Sequence, residues 1–292
     1  MAEIRIRNLL EELHKMRLSI ITINRNNEGG LRKTMESVFA QTYRDFEYII
    51  VDGASSDDSV NVIREYAQKV EKGECRLAKF KWVSEPDTGI YCAMNKGVRM
   101  CGGEYTLMLN SGDYLVNERV LEGILPELDG MDIVQGNIVK VKDGKELISR
   151  GVGKSDITFI DVMRGFFLHQ ASFCKRELFD KYGYFDESYR INGDTVFYAK
   201  CLGFGDATFK YVNQNIAYFD TTGISADPER KWVALRKEED NRYAQMFSPR
   251  MWDLFHKEEK KIKLYDMLHT HRWCWNMTML IAHIVDFIYR KK

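Results

Sequence analysis

The stretch Tyr105-Thr-Leu-Met-Leu-Asn110-Ser111-Gly112-Asp113 decides how this chain is read. An apolar, β-type run passes straight into a polar turn that ends in a carboxylate. In an open α/β sheet ligands collect beyond the carboxyl ends of the strands, so an acid there is placed to meet one. A hard divalent cation prefers oxygen ligands, and Mg²⁺ is often held by one or two carboxylates together with substrate phosphates. Ser-Gly-Asp is also ordinary turn chemistry, so the flanks must choose between the two.

Upstream, the same pattern occurs three times. Leu18-Ser-Ile-Ile-Thr-Ile23, Phe46-Glu-Tyr-Ile-Ile-Val51 and Phe80-Lys-Trp-Val-Ser84 have the length and β-branched or aromatic content of strands. Each runs into a polar loop: Asn24 to Gly30, Asp52 to Asp57, and Glu85-Pro-Asp87-Thr-Gly89. Helical spacing follows each loop, with Leu31, Met35, Val38 and Phe39 on one face. Val60, Ile63 and Tyr66 lie on the next helix, with Asp57 or Asp58 as its cap, and Met94 and Val98 on the third. Strand–loop–helix alternation implies a parallel sheet covered by helices, an α/β fold whose strand ends converge on one rim.

Downstream, Asp132 to Lys140 reads as a further strand, and Lys142-Asp-Gly-Lys145 as the turn of a hairpin. Phe166 to Asp194 mixes short strands and helices, a helix is expected over 195–201, and strands over 208–212 and 216–219. Beyond Asp227 the chain becomes highly charged and helical, which divides it into a domain over 1–225 and a helical region over 226–292. An amphipathic helix is also expected over residues 2–16. The last apolar segment, Trp273 to Tyr289, is interrupted by Asn276, His283 and Asp286 and is shorter than the ~20 residues that span a bilayer. Two readings of it stay open: a helix packed on the body or on a second copy in a homodimer, and a helix lying in the membrane plane with aromatic and basic anchors.

Composition narrows the class. Of 292 residues 45% are hydrophobic and 29% charged, the profile of a globular protein large enough to fold without staples. Lys plus Arg and Asp plus Glu are both 43, which argues against a nucleic-acid partner. Six cysteines include no C-x-x-C pair, arguing against a zinc site or a disulfide framework and for a reducing, cytoplasmic setting. The first residues lack the apolar core of a secretory signal.

Five segments in order resemble those of family 2 glycosyltransferases, inverting enzymes of the GT-A fold that use nucleotide-activated sugars. These are Leu18-Ser-Ile-Ile-Thr-Ile-Asn-Arg, Glu36-Ser-Val-Phe-Ala-Gln-Thr-Tyr, Ile50-Val-Asp-Gly-Ala-Ser-Ser-Asp, Ser84-Glu-Pro-Asp-Thr-Gly-Ile-Tyr-Cys-Ala-Met-Asn-Lys-Gly and Leu109-Asn-Ser-Gly-Asp. The resemblance covers about the first 225 residues and is strongest for the bacterial branch that builds surface polysaccharides. It implies a nucleoside pocket at Thr22, Asn24 and Asp52, with Asp52 able to accept the imide N–H of uracil and so to favour UDP. It implies that Asp87, Gly89, Asn95 and Lys96 lie under the ribose and diphosphate. Asn110-Ser-Gly-Asp113 stands at the family's D-x-D metal motif, so Asp113 is the anionic ligand left for Mn²⁺ or Mg²⁺. Ile191-Asn-Gly-Asp194 stands at the position of the general base, and His169 on the acceptor or diphosphate side. The loop Thr221 to Ser225 resembles one that follows the catalytic domain in this branch.

The implied reaction moves a sugar from a UDP-sugar to a glycan or lipid-linked acceptor, in the cytoplasm or at the inner face of the membrane. Asp194 before an apolar run is also an ordinary helix cap. Asn110 replaces the first metal acid and Cys92 replaces an Asp, which keeps open a non-catalytic nucleotide-sugar-binding or assembly subunit on the same fold. A nucleotidyltransferase is disfavoured because residues 24–30 do not form its Gly-rich basic loop, and a dinucleotide oxidoreductase because no G-x-G-x-x-G follows a strand.

Overall fold

The computed structural model describes residues 16–75, 77–223 and 231–270. Four strands are parallel: β1 (Leu18–Asn24), β2 (Glu47–Asp52), β3 (Lys79–Ser84) and β4 (Tyr105–Met108). They lie in the order β3-β2-β1-β4 and are joined by helices α1 (Glu28–Phe39), α2 (Ser59–Glu71) and α3 (Ile90–Met100). All seven residues of β1 are buried, as expected of a strand with helices on both faces. That environment explains why the Thr22 hydroxyl is spent internally, donating to the Leu109 carbonyl at 2.7 Å and pairing with the Tyr48 hydroxyl at 3.0 Å.

The chain winds from β1 outward to β3, then returns to place β4 on the other side of β1. This reversal opens a crevice between the carboxyl ends of β1 and β4, the general position of ligand sites in open α/β sheets. The sheet continues past β4 through β8 (Ser172–Lys175), β6 (Ile133–Lys142), β9 (Phe209–Tyr218) and β5 (Tyr114–Leu115), with β7 (Lys145–Ser149) paired to β6. β8 runs antiparallel to β4, so the sheet is mixed. The β6–β7 turn is Asp143-Gly144, both at positive φ (51° and 70°), the two-residue geometry that suits the twist of a hairpin.

Short helices α4 (Val120–Ile124), α5 (Phe159–Arg164), α6 (Glu177–Tyr182) and α7 (Gly193–Tyr198) fill the connections. Two expectations change here. The strands expected over 208–212 and 216–219 are one strand, β9, whose pairing with β6 shifts register on both sides of Asn137. The helix expected over 195–201 begins at Gly193 and widens into a π-type turn over Ala199–Gly203.

Two compact units meet at Asn241/Arg242, later than the boundary expected at residue 225. The break lies inside α8 (Val233–Ala244), whose first turns belong to the larger unit. The smaller unit holds α9 (Pro249–Thr270), where Trp252 donates its indole N–H to the Ala244 carbonyl at 2.7 Å. Among the described residues no helix is long and apolar enough to cross a membrane. The expected helices over 2–16 and 273–289 lie outside the described residues, essentially the whole of the first and all of the second.

Candidate active site

A cleft of about 640 Å³ opens at the carboxyl ends of β1 and β4. Its floor is the turn after β4. Ser111 donates its N–H to the Ile23 carbonyl at 3.0 Å, extending the β1–β4 ladder past the formal end of the strand. The Thr34 hydroxyl of α1 then pins the turn, donating to the Asp113 carbonyl at 2.7 Å and accepting from the Gly112 N–H at 3.0 Å. Gly112 adopts φ 103°, and a Cβ there would stand 2.4 Å from a carboxylate oxygen of Asp220. Glycine is therefore required twice over, for the backbone and for the space.

Asp113 is 4% exposed, and its Oδ1 accepts the Asp220 N–H at 2.8 Å. Burial pushes its carboxyl up to about 7, and the neighbouring Asp220 charge adds to this against the Asp220 N–H, His169 and Gln170. A buried carboxylate with a second one alongside is under-compensated, and a cation would relieve it. The Asn110 amide oxygen is buried at the same turn with no hydrogen-bond partner among the described residues. Among the described residues no group of three His, Cys, Asp or Glu forms a metal cage. Two carboxylates suit an ion completed by phosphate oxygens and water, so the residues fit a Mg²⁺ or Mn²⁺ of that kind.

The other wall is made by the 3₁₀ turn His169–Ala171, just before β8, and by α7. Asp194 sits in the first turn of α7, while the residue in the cap position is Asn192. Its Oδ1 accepts from the Tyr91 hydroxyl at 3.1 Å and the Thr195 N–H at 2.9 Å, and its Oδ2 from His169 Nδ1 at 2.8 Å. Both side chains of the His–Asp pair are 14% exposed. Burial opposes the Asp194 charge, but the His169 bond and charge outweigh it and the carboxyl lies below its usual range. For His169 burial works against protonation, and Asp194 with Asp113 more than reverses it. His169 Nε2 lies 3.3 Å from the Asn110 amide nitrogen. Turning that amide over would give its orphaned oxygen an imidazolium N–H to accept, which matches the raised His169.

Of the residues singled out from sequence, Asn24, Asp87, Asp113, His169 and Asp194 line this cleft, with Gly89 beside them. Thr22, Asp52, Asn95 and Lys96 do not. Thr22 and Asp52 are fully buried. Asn95 is held by the Phe185 carbonyl and N–H at 2.9 and 3.0 Å, which makes it a strut between α3 and the chain before α7. Lys96 pairs with Glu85 at 2.9 Å on the outer side of α3. Thr22, Asp52 and Asn95 spend their side chains on protein partners, whereas Lys96, bonded to Glu85 and the Pro86 carbonyl, keeps a third ammonium N–H and is 23% exposed. Cys92 is only partly buried and is not on the cleft wall.

Four contributors had no sequence signal of their own. Thr34 holds the β4 turn from a helix, and Asp220 faces Asp113 from the end of β9. Glu239 of α8, 1% exposed, accepts the backbone N–H groups of Arg190, Ile191 and Asn192 at 2.6, 2.9 and 2.9 Å. Asp240 beside it accepts from the Asn192 amide at 2.7 Å. The loop that delivers Asp194 is thus clamped from a helix some 45 residues further on. In the sequence Glu239 is one acid in a charged run; only its burial distinguishes it.

A parallel half-sheet with a carboxylate-bearing turn at its switch point, closed by a mixed second half, defines the GT-A class of fold. The chain belongs to glycosyl transferase family 2, whose family model matches residues 19–185. An uncharacterized glycosyltransferase of Mycobacterium tuberculosis is 33% identical over 230 residues, covering 73% of this chain and 78% of its own. A PGL/p-HBAD biosynthesis glycosyltransferase of Mycobacterium bovis is 28% identical over 208 residues, covering 70% and 77%. Among solved structures, the mannosyltransferase PcManGT from Pyrobaculum calidifontis in complex with GDP-Man and Mn²⁺ superposes with TM-score 0.59 at 15% identity, over 94% of this chain and 88% of that one. S. aureus TarS 1-349 in complex with UDP-GlcNAc superposes with TM-score 0.58 at 19% identity, over 70% of this chain. The chain spans 58% of that TarS structure.

Proposed function

We propose that this glycosyltransferase moves a sugar, with inversion, from a UDP-sugar to a hydroxyl of a glycan or lipid-linked acceptor in surface-polysaccharide synthesis. The observation that carries the reading is Asp194: an ionised carboxylate on the wall of the cleft that also holds Asp113, fixed by His169, Tyr91 and the Thr195 N–H. Its lowered pKa keeps it deprotonated at neutral pH, as a proton acceptor must be. The acceptor oxygen bonds to the anomeric carbon while the bond from that carbon to the diphosphate breaks. Asp194 takes the hydroxyl proton, and the departing diphosphate keeps the electron pair. Asn24 and Asp87 stand at the nucleoside end of the cleft, and His169, whose raised pKa favours the imidazolium, faces the diphosphate from beside Asn110. Asp113 and Asp220 would hold a divalent cation, Mn²⁺ or Mg²⁺, which when bound neutralises charge on the leaving diphosphate.

Calorimetric titration of UDP, with GDP as control, in Mn²⁺ and in EDTA tests this. Metal-dependent UDP binding is expected, weakened in Asp113→Ala and kept in Asp194→Ala, whose sugar transfer falls by roughly 10²–10⁴-fold. No nucleotide binding by the wild type under any condition would overturn it. Asn110, in the place of the family's first metal acid, favours the second reading, a nucleotide-sugar-binding subunit; that reading predicts binding without turnover of any donor, even to water.

A further inference from the structure

We propose that Asp87, and not Asp52, is the acceptor that reads the nucleobase, and that Gly53 exists to make room for it. The inference rests on the reading of the cleft as a nucleoside diphosphate site and names its specificity residue.

Asp52 is closed to a ligand. It is fully buried, and both of its oxygens are taken. Oδ1 accepts from the Asn24 amide at 2.8 Å and the Ser55 hydroxyl at 2.5 Å. Oδ2 accepts from the Ser55 N–H at 2.9 Å and the Ser84 hydroxyl at 2.7 Å. Two carboxylate oxygens offer about four lone-pair sites, and four donors already occupy them. Asp52 thereby ties the ends of β1, β2 and β3 together beneath the cleft.

Asp87 is in the complementary state. Its side chain is 6% exposed and lies on the cleft wall. Oδ1 accepts the Gly89 N–H at 3.0 Å and lies 3.9 Å from the Arg25 guanidinium. Oδ2 has no hydrogen-bond partner among the described residues, and it rests over Gly53, where a Cβ would stand 2.4 Å away. Gly53 is not at positive φ. What its missing side chain provides is therefore space, and that space is filled by the Asp87 carboxylate.

A carboxylate oxygen set against the ring-nitrogen position of the base can only accept, so it selects a base with an N–H at that position. Uracil presents a single imide N–H there. Cytosine presents an unprotonated ring nitrogen, which would set acceptor against acceptor. Guanine presents two adjacent donors and would have to share Oδ1 with the Gly89 N–H that it already accepts. Uridine is the match.

The test is titration of UDP, N3-methyl-UDP, CDP and GDP into the wild type, Asp87→Ala, Gly53→Ala and Asp52→Asn, with melting curves to verify folding. The wild type is expected to favour UDP over N3-methyl-UDP on the order of ten- to a hundredfold, the range of a hydrogen bond to a charged group. Asp87→Ala should lose that preference, and so should Gly53→Ala, which leaves the carboxylate intact but displaces it. Asp52→Asn should melt earlier and keep the preference. Retention of the preference in Asp87→Ala, its loss in Asp52→Asn, or tighter GDP than UDP binding by the wild type would each overturn the inference while leaving the transferase reading in place. A wild type that binds no nucleotide would overturn both.

Discussion

The cleft holds two buried carboxylates whose surroundings push them in opposite directions. Asp113, on the turn after β4, is raised to about 7 because burial dominates and a second acid stands beside it. Asp194, in the first turn of α7, is lowered although it too is buried, because His169, Tyr91 and a backbone N–H all favour its charged form. Under the proposed function the same side chain serves two tasks: Asp113 would hold a cation and Asp194 would accept a proton. Environment rather than residue type separates the roles. The two regions also differ in how they are built. The β4 turn is held by its strand neighbours and by Thr34, whereas the α7 loop is held by a carboxylate from a distant helix.

Breaking that distant clamp should give the largest effect on the second region alone. Glu239→Ala removes the acceptor of three backbone N–H groups in a buried place, and we expect a loss of about 3 kcal/mol in chemical denaturation. Turnover should fall further than UDP affinity, because the loop carries Asp194, the proposed base, and not the proposed nucleoside site. Equal losses of both would show that the clamp serves the whole cleft.

The Asp113 side can be sharpened through pH. A carboxyl raised in the folded state binds more protons than in the unfolded chain, so its stabilising contribution is present at low pH and is lost as pH rises through about 7. The melting temperature of the metal-free protein should therefore drop between pH 5 and 8, and Asp113→Asn should flatten this slope. Mn²⁺ should raise the melting temperature more at pH 8 than at pH 5.5, since it competes with the proton. Equal metal effects at both pH values would place the ion elsewhere.

The smallest effect is expected from His169→Gln, which keeps a hydrogen-bonding group and removes the charge. Asp194, relieved of the imidazolium, should become easier to protonate, so the acid limb of the kcat/KM profile should move to higher pH. The sign follows from linkage: Asp194 now contributes stability above its unfolded pKa and loses it as pH falls, while His169 contributes below its own unfolded pKa and loses it as pH rises. An unmoved acid limb would mean that Asp194 is not the group that titrates in catalysis.

The sequence by itself determined the parallel half of the sheet, because β1 to β4 are short runs rich in β-branched and aromatic residues and each polar loop must fall at a strand end. The resemblance to family 2 glycosyltransferases brought Asp87, Asp113, His169 and Asp194 forward, and all four line the cleft. Only the tertiary structure decided which of the polar residues at those ends line the cleft. Thr22, Asp52 and Asn95 are chemically as suitable as Asn24 and Asp87, and a motif cannot say whether a hydroxyl or carboxylate points at the cleft or at a neighbouring strand. Asp52 is consumed by Asn24, Ser55 and Ser84, and Asp87 is left with a free oxygen, because of which side chains meet across three strands. Asp220 and Glu239 were hidden for the same reason: their partners lie 107 and about 48 residues away, and local pattern carries no record of such distances. Strand periodicity is a property of neighbours in the chain, whereas hydrogen-bond satisfaction is a property of neighbours in space.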